Sequence, residues 1–152
     1  MPVIVIGADT PIGDAIVDAL LPNAVEVRAF ISDETRTIEF KQRGTKVATG
    51  DVSDASHVEG ASMRCFCAVL VIEAATDDRE RSFAPDGTTV TAGWAEAIRA
   101  SGVRRAIWVG SAEAVAEVPQ SVDEVAVVIV DGDLVAAAQE VADLEEAATI
   151  PG

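Results

Sequence analysis

The period of the apolar positions changes several times along the chain, and each change marks an element. Val3-Ile4-Val5-Ile6 is an unbroken β-branched run, the pattern of a strand buried on both faces. Beyond Gly7-Ala8-Asp9-Thr10-Pro11-Ile12-Gly13, apolar residues recur at Ile12, Ala15, Ile16, Ala19 and Leu20, the spacing of one helix face. Pro22-Asn23 ends that pattern. Val25, Val27, Ala29 and Ile31 then alternate along a second strand over 25–31. Ser32-Asp33 supplies a cap for a helix that passes through Ile38 and Phe40 and stops at Gly44. A third strand over 45–49 and a short helix over 55–61, capped by Ser53 or Asp54, lead to the most apolar run of the chain. That run, 65–72, reads as a central fourth strand.

The loop from Asp77 to Pro85 is dense in charge, with Asp77-Asp78-Arg79-Glu80-Arg81 consecutive. Such a run is either a lid or, more commonly, solvated surface. A helix over 87–101 turns Val90, Trp94, Ala97 and Ile98 to one side and closes at Gly102. Strands over 105–109 and 125–130 follow. The last helix, from Leu134 to about Ala147, carries Leu134, Val135, Ala138, Val141, Ala142 and Leu144 as its stripe. Strands alternate with helices throughout, so the fold class is α/β. The expected architecture is one Rossmann-like domain over 1–152, a doubly wound parallel sheet of about six strands with helices on both faces.

Composition narrows the functions available. With 49% hydrophobic and 24% charged residues, the chain has the make-up of a globular protein able to bury a core. No apolar run approaches the roughly 18 residues of a bilayer span, and Met1-Pro2 leads into the first strand without a basic leader, so the expected location is cytoplasmic. The formal net charge of −15 weighs against nucleic acid and against an anionic membrane surface. Of the 11 basic residues only Lys41 and Lys46 are lysines, which fits either adaptation to high salt or a GC-rich coding bias. Cys65 and Cys67, with His57 as the single histidine, are too few for a disulfide framework or a metal site, and buried thiols are the expectation.

The chemistry suggested by the pattern lies at its start. A strand, a glycine turn and a helix in succession present free N–H groups and a positive dipole end, the arrangement that receives a pyrophosphate. Gly7 to Gly13 is therefore the first candidate for a nucleotide site.

Three segments carry a resemblance to a known family. They are Val3 to Gly13, where the family reads apolar strand then Gly-Ala-Thr-Gly-x-Ile-Gly; Gly50-Asp51-Val52-Ser53-Asp54; and Ala97 to Ser111, which ends in Val109-Gly110-Ser111. In order and spacing they resemble the atypical and extended short-chain dehydrogenase/reductases, including the epimerase-like and NmrA-like NAD(P)-binding proteins. The resemblance implies a dinucleotide cofactor, NAD or NADP. It implies contacts from Gly7, Thr10, Pro11, Ile12 and Gly13 at the pyrophosphate, and from Ser32, Asp33 and Arg36 at the ribose. Asp51 and Val52 match the adenine-side motif, and Ala74, Ala75 and Thr76 match a small-residue turn beside the cofactor ribose. Asp33, about 20 residues after Gly13, tilts the cofactor toward NAD without deciding it, since the same residue also suits a plain helix cap.

The departures bear on function. Thr10 stands at the family's middle glycine, and its hydroxyl is a potential phosphate donor. Glu73 places an acid near the expected pyrophosphate. Ser111 aligns with the serine that polarises the reacting oxygen and is the one catalytic candidate. The family's proton donor is a tyrosine activated by a lysine four residues on, yet the chain has no tyrosine. At that distance stands Ala136-Ala137-Ala138-Gln139-Glu140. Three functions follow: a catalytically degenerate dinucleotide-binding sensor or regulatory subunit; a reductase or epimerase with an atypical acid near Ser111; or an interaction subunit with no nucleotide bound. Partners expected besides a dinucleotide are a second copy of the chain or a basic protein docking on the acidic side of the last helix (Asp133, Glu140, Asp143, Glu145, Glu146).

Overall fold

In the computed structural model, which describes residues 2–150, β1 (Val3–Ile6) is wholly buried, and its side chains divide between two apolar layers. Val3 and Val5 join one cluster, Ile4 and Ile6 the other. A strand lying mid-sheet with both faces covered must be apolar at every position. The ends of the expected domain, residues 1, 151 and 152, lie outside the described residues.

Six strands form one all-parallel sheet in the order β3-β2-β1-β4-β5-β6. The others are β2 (Val27–Ile31), β3 (Lys46–Thr49), β4 (Cys67–Val71), β5 (Arg105–Gly110) and β6 (Glu124–Ile129). Helices α1 (Pro11–Leu20), α2 (Thr37–Gln42) and α6 (Leu134–Glu146) supply the cluster on one face. On the other face lie α3 (Ala55–Ala61), the single turn α4 (Glu73–Thr76) and α5 (Gly87–Ala100). The chain reverses direction across the sheet between β1 and β4, which opens a crevice at the C-terminal ends of those strands, where ligands of such sheets bind.

Two buried polar anchors fix the outer elements. The Trp94 indole of α5 donates to the Val52 carbonyl at 2.7 Å, tying the helix to the segment after β3. Arg105, fully buried at the start of β5, donates to the carbonyls of Leu144, Glu145, Ala147 and Ala148 at the end of α6 and to the Glu124 carboxylate. The last turn of α6 has no basic residue of its own, so a strand supplies the cation its carbonyls need.

Several expectations are corrected. The helix expected over 33–44 is a 3₁₀ turn (Glu34–Arg36), capped by Asp33, followed by the short α2, and Ile38 is 69% exposed. Six residues with one buried side chain, Phe40, present too little apolar stripe for a longer helix. Val25 lies before β2 and is exposed, and Val135 points to solvent while Ala137 takes the inward place. Cys65 precedes β4, outside the strand that was expected over 65–72: each thiol joins a different apolar layer, both are free, and burial raises the Cys65 thiol to about 11.

Candidate functional site

Each residue of the glycine turn is placed by packing. Gly7 has φ +87, and a Cβ there would lie 2.7 Å from the Ala74 Cβ. Gly13 sits against the turn's own backbone, where a Cβ would fall 2.1 Å from the Gly7 carbonyl oxygen. Thr10 is the N-cap of α1. Its hydroxyl donates to Gly7 O at 2.7 Å and accepts from Gly13 N at 2.9 Å. The expectation that this hydroxyl serves a phosphate is thereby corrected, because its proton is committed within the turn and the side chain is buried. Pro11, exposed at the first helical position, has no N–H, and Asp14 N bonds to Thr10 O. The Ile12 N–H is left with no acceptor among the described residues. Thr10 thus turns its side chain into the loop, and with Pro11 lacking an N–H the turn offers fewer free donors than three glycines would.

Alongside the turn, a cleft of about 590 Å³ opens at the C-terminal ends of β1, β2 and β3. Of the residues expected to contact a cofactor, Ser32, Asp33 and Asp51 line it; Asp9, Gly50 and Arg79, which were not among them, line it too. The Asp9 carboxylate accepts from Ser32 N at 2.9 Å and Asp33 N at 3.0 Å, bracing the end of β2, and takes the Arg79 guanidinium at 2.9 Å. Arg79 also reaches Ser32 Oγ at 3.2 Å and is gripped by Asp77. On the other bank, Asp51 Oδ1 accepts from Ser53 and its Oδ2 from Ser82 N, while Phe83 N donates to Ser53 Oγ.

Residues 77–83 therefore run as a strap from Asp9 and Ser32 across to Asp51 and Ser53. The reading of this stretch as solvated surface holds for Asp78, Glu80, Ser82 and Phe83, which are exposed, and is corrected for Arg79 and Arg81, whose side chains are only 13% and 16% exposed. The mouth is strongly electronegative. Asp9, Asp33, Glu34, Asp51, Asp77, Asp78 and Glu80 line it against one cation, Arg79.

The hydrogen bonds that hold the strap are expected to respond to pH. Burial alone pushes both Asp51 and Asp77 up, but hydrogen bonds to Asp51 from Ser53 and Ser82, and to Asp77 from Arg79, hold each below the ordinary aspartate range. A depressed carboxylate contributes its full stabilisation above the unfolded value of about 4 and loses it as pH falls through the folded one. Hydrogen exchange at the Ser82 amide is expected to be equally protected, after correction for intrinsic rates, between pH 5 and 7. Below about pH 4 its protection should drop before that of β1. Equal loss in both segments would show that the strap has no separate latch.

The remaining site residues divide. Ile12 and Ser111 share a hollow of about 310 Å³ with Ile72, Glu73, Thr76 and Gly110. Ser111 Oγ accepts from Ala114 N at 3.2 Å and so caps the turn after β5. The Ala74 and Ala75 side chains are buried on the inner side of α4, and Ala74 packs on Gly7. Val52 is also buried, its carbonyl taken by Trp94. Arg36 turns away from the cleft to Asp14 and Glu39 and lies 5.0 Å from the Phe40 ring centroid. His57 sits exposed on α3, edge-on to Phe30. Asp9 was overlooked because it stands inside a motif read for its glycines, and Arg79 because its carboxylate partner lies far away in the chain. A lone cation between acids was the only available signal.

Among solved structures, the fold is similar to ChuY, an anaerobillin reductase from Escherichia coli O157:H7, with a TM-score of 0.71 and 16% identity. That match covers 98% of this chain and 92% of the other. Citrobacter sp. triphenylmethane reductase complexed with NADP(H) aligns with a TM-score of 0.62 and 14% identity, over 94% of this chain and 45% of that one. An NADPH-dependent quinone oxidoreductase of Escherichia coli, complexed with NADPH, gives 0.59 and 16% over 73% and 37%. The chain thus spans less than half the length of the last two. No curated protein matches the sequence. Residues 7–149, which carry the turn, the strap and the Ser111 hollow, match the NAD(P)H-binding family, and the chain belongs to that family.

Proposed function

We propose that the chain is an NAD(H)-binding domain that has given up reductase chemistry and serves as a sensor or regulatory subunit. The carrying observation is the lining of the large cleft, whose carboxylates suit ribose hydroxyls and repel an added phosphate. In this reading the Ile12 N–H meets the pyrophosphate, Asp33 and Asp51 take the adenosine end, and Ser111 borders the nicotinamide. Bound NADH would bring a hydride, but the chain has no tyrosine to move the accompanying proton. The Ala136–Glu140 stretch lies on α6, with Ala137 and Ala138 buried in the apolar layer that α1 also joins. None of α6 lines the Ser111 hollow.

Calorimetry is expected to give an NADH affinity at least about tenfold above that for NADPH, a difference of roughly 1.4 kcal/mol. Because the approach is repulsive, both affinities should tighten as salt rises from about 20 to 200 mM, screening the cleft. Equal or preferred NADPH binding would overturn the assignment of NAD, and no binding at millimolar concentrations would overturn the reading altogether. Turnover of NADH with any of a panel of carbonyl compounds, abolished by Ser111→Ala, would instead support an active reductase with an atypical acid.

A further inference from the structure

Asp9 stands immediately before the Thr10 cap, and its side chain is only 4% exposed although it lines the cleft. Its Oδ2 accepts from two consecutive amides at the end of β2, Ser32 N at 2.9 Å and Asp33 N at 3.0 Å. Its Oδ1 accepts from Arg79 Nη1 at 2.9 Å, and the Ser32 hydroxyl lies 3.2 Å from the same nitrogen. Two neighbouring amide N–H groups, a guanidinium and a hydroxyl form a donor set of the kind that holds an external anion, phosphate above all. Here a carboxylate of the chain itself fills it.

The location gives that occupancy a meaning. At the end of the second strand, folds of this class meet the adenosine ribose and tell a free 2′-hydroxyl from a 2′-phosphate. A 2′-phosphate entering there would have to take Arg79, the one cation of the cleft lining, and both amides from Asp9. That would leave a buried carboxylate without donors, a costly state. A ribose hydroxyl makes no such demand, because it donates to a carboxylate and displaces nothing. The neighbouring aspartates are engaged elsewhere: Asp33 Oδ1 caps the turn at Thr35, and Asp51 holds the strap at Ser82.

We propose that the Asp9 carboxylate is a resident substitute for the 2′-phosphate of NADP(H), and that this residue, more than Asp33, makes the cleft select NAD(H). The inference rests on the dinucleotide reading for the identity of the ligand, whereas the anion site itself needs only these four donors. Discrimination then lies with a buried group inside the glycine turn and not with the general acidity of the mouth. The preference for NADH should therefore persist at about 200 mM salt, where exposed charges are screened.

The test compares the wild-type chain with Asp9→Ala, which empties the carboxylate's place and leaves the donors. Inorganic phosphate, followed by two-dimensional NMR at constant ionic strength without nucleotide, is expected to shift the Ser32 and Asp33 amide signals of the variant. It should bind the variant at least about tenfold more tightly than the wild type. In calorimetry the ratio of NADH to NADPH affinity should fall by at least about thirtyfold, through tighter NADPH. Arg79→Leu added to Asp9→Ala should cancel that gain. Asp9→Asn keeps an oxygen for the two amides and drops only the charge, so it should lower the ratio by about threefold without admitting phosphate. This result stands even if the alanine variant fails to fold. An Asp9→Ala protein that binds NADH yet keeps the wild-type ratio, or whose Ser32 and Asp33 amides ignore phosphate, would overturn the proposal and leave the NAD reading intact. Binding of neither dinucleotide to either protein would overturn that reading instead, and the phosphate result alone would then decide whether Asp9 fills an anion site.

Discussion

Alanine at position 13 is expected to destabilise the fold more than any other single methyl added to the chain. The new Cβ would stand 2.1 Å from the Gly7 carbonyl oxygen and 2.9 Å from the Ala8 Cα, and both neighbours are backbone. No rotamer relieves a clash with main chain, so the turn and the first turn of α1 must separate. That breaks the Thr10 cap, which holds both ends of the loop. The combined cost is on the order of 3 kcal/mol or more, an appreciable part of a stability of about 5–15 kcal/mol. For a chain of this size the thermal midpoint should fall by roughly 6–12 °C, read by circular dichroism. The same substitution at Gly60, on α3 with nothing within 4 Å of the added methyl, should instead stabilise by about 0.5–1 kcal/mol. A drop of under about 1 kcal/mol for Gly13→Ala would show that the turn yields to the added methyl.

Arg105→Met is expected to have a comparable effect from β5, two places along the sheet from β1. Methionine keeps the apolar stem against Phe66, whose ring the guanidinium faces at 4.9 Å, but deletes the donors to four carbonyls at the end of α6. Buried carbonyls stripped of their donors cost on the order of 1–3 kcal/mol each, less where water can enter. A loss of about 4 kcal/mol is therefore expected, seen as a lower urea midpoint at unchanged slope. Arg105→Lys should recover only part of it, because an ammonium cannot span the same carbonyls in one plane. Glu124→Gln should cost less than either, since it leaves the arginine-to-carbonyl bonds in place. If methionine proves neutral, α6 is held by its apolar stripe alone.

The sequence revealed those parts of the molecule that depend on repetition. The unbroken apolar runs of β1 and β4, the glycine turn and the period of α1 and α5 together yield a doubly wound parallel sheet, and the structure has that architecture. What escaped it depends on which distant residues meet. Asp33 was legible as either a cap or a ribose ligand, and its carboxylate caps the 3₁₀ turn while lining the cleft. Ala74, Ala75 and Val52 matched a motif in spacing, yet their side chains face the core; linear spacing does not tell which side of a turn a residue takes. The pairing of Asp9 with Arg79 is set by how the strap folds back, and periodicity carries no trace of it. The same holds for Trp108, which any pattern assigns to the core and only three dimensions show to lack an acceptor.

The packing of α1 against α6 also sets an order of assembly on the ribosome. Ile16, Val17 and Leu20 of α1 share one apolar layer with Ala138, Val141 and Ala142 of α6, so α1 is covered by a helix synthesised much later. β1 likewise waits for β4 before its second edge is paired. During translation the nascent N-terminal half therefore exposes an unpaired apolar strand edge and an uncovered helix face, the features that chaperones engage. The apolar face of α1, although encoded early, is expected to stay open until α6 has been synthesised.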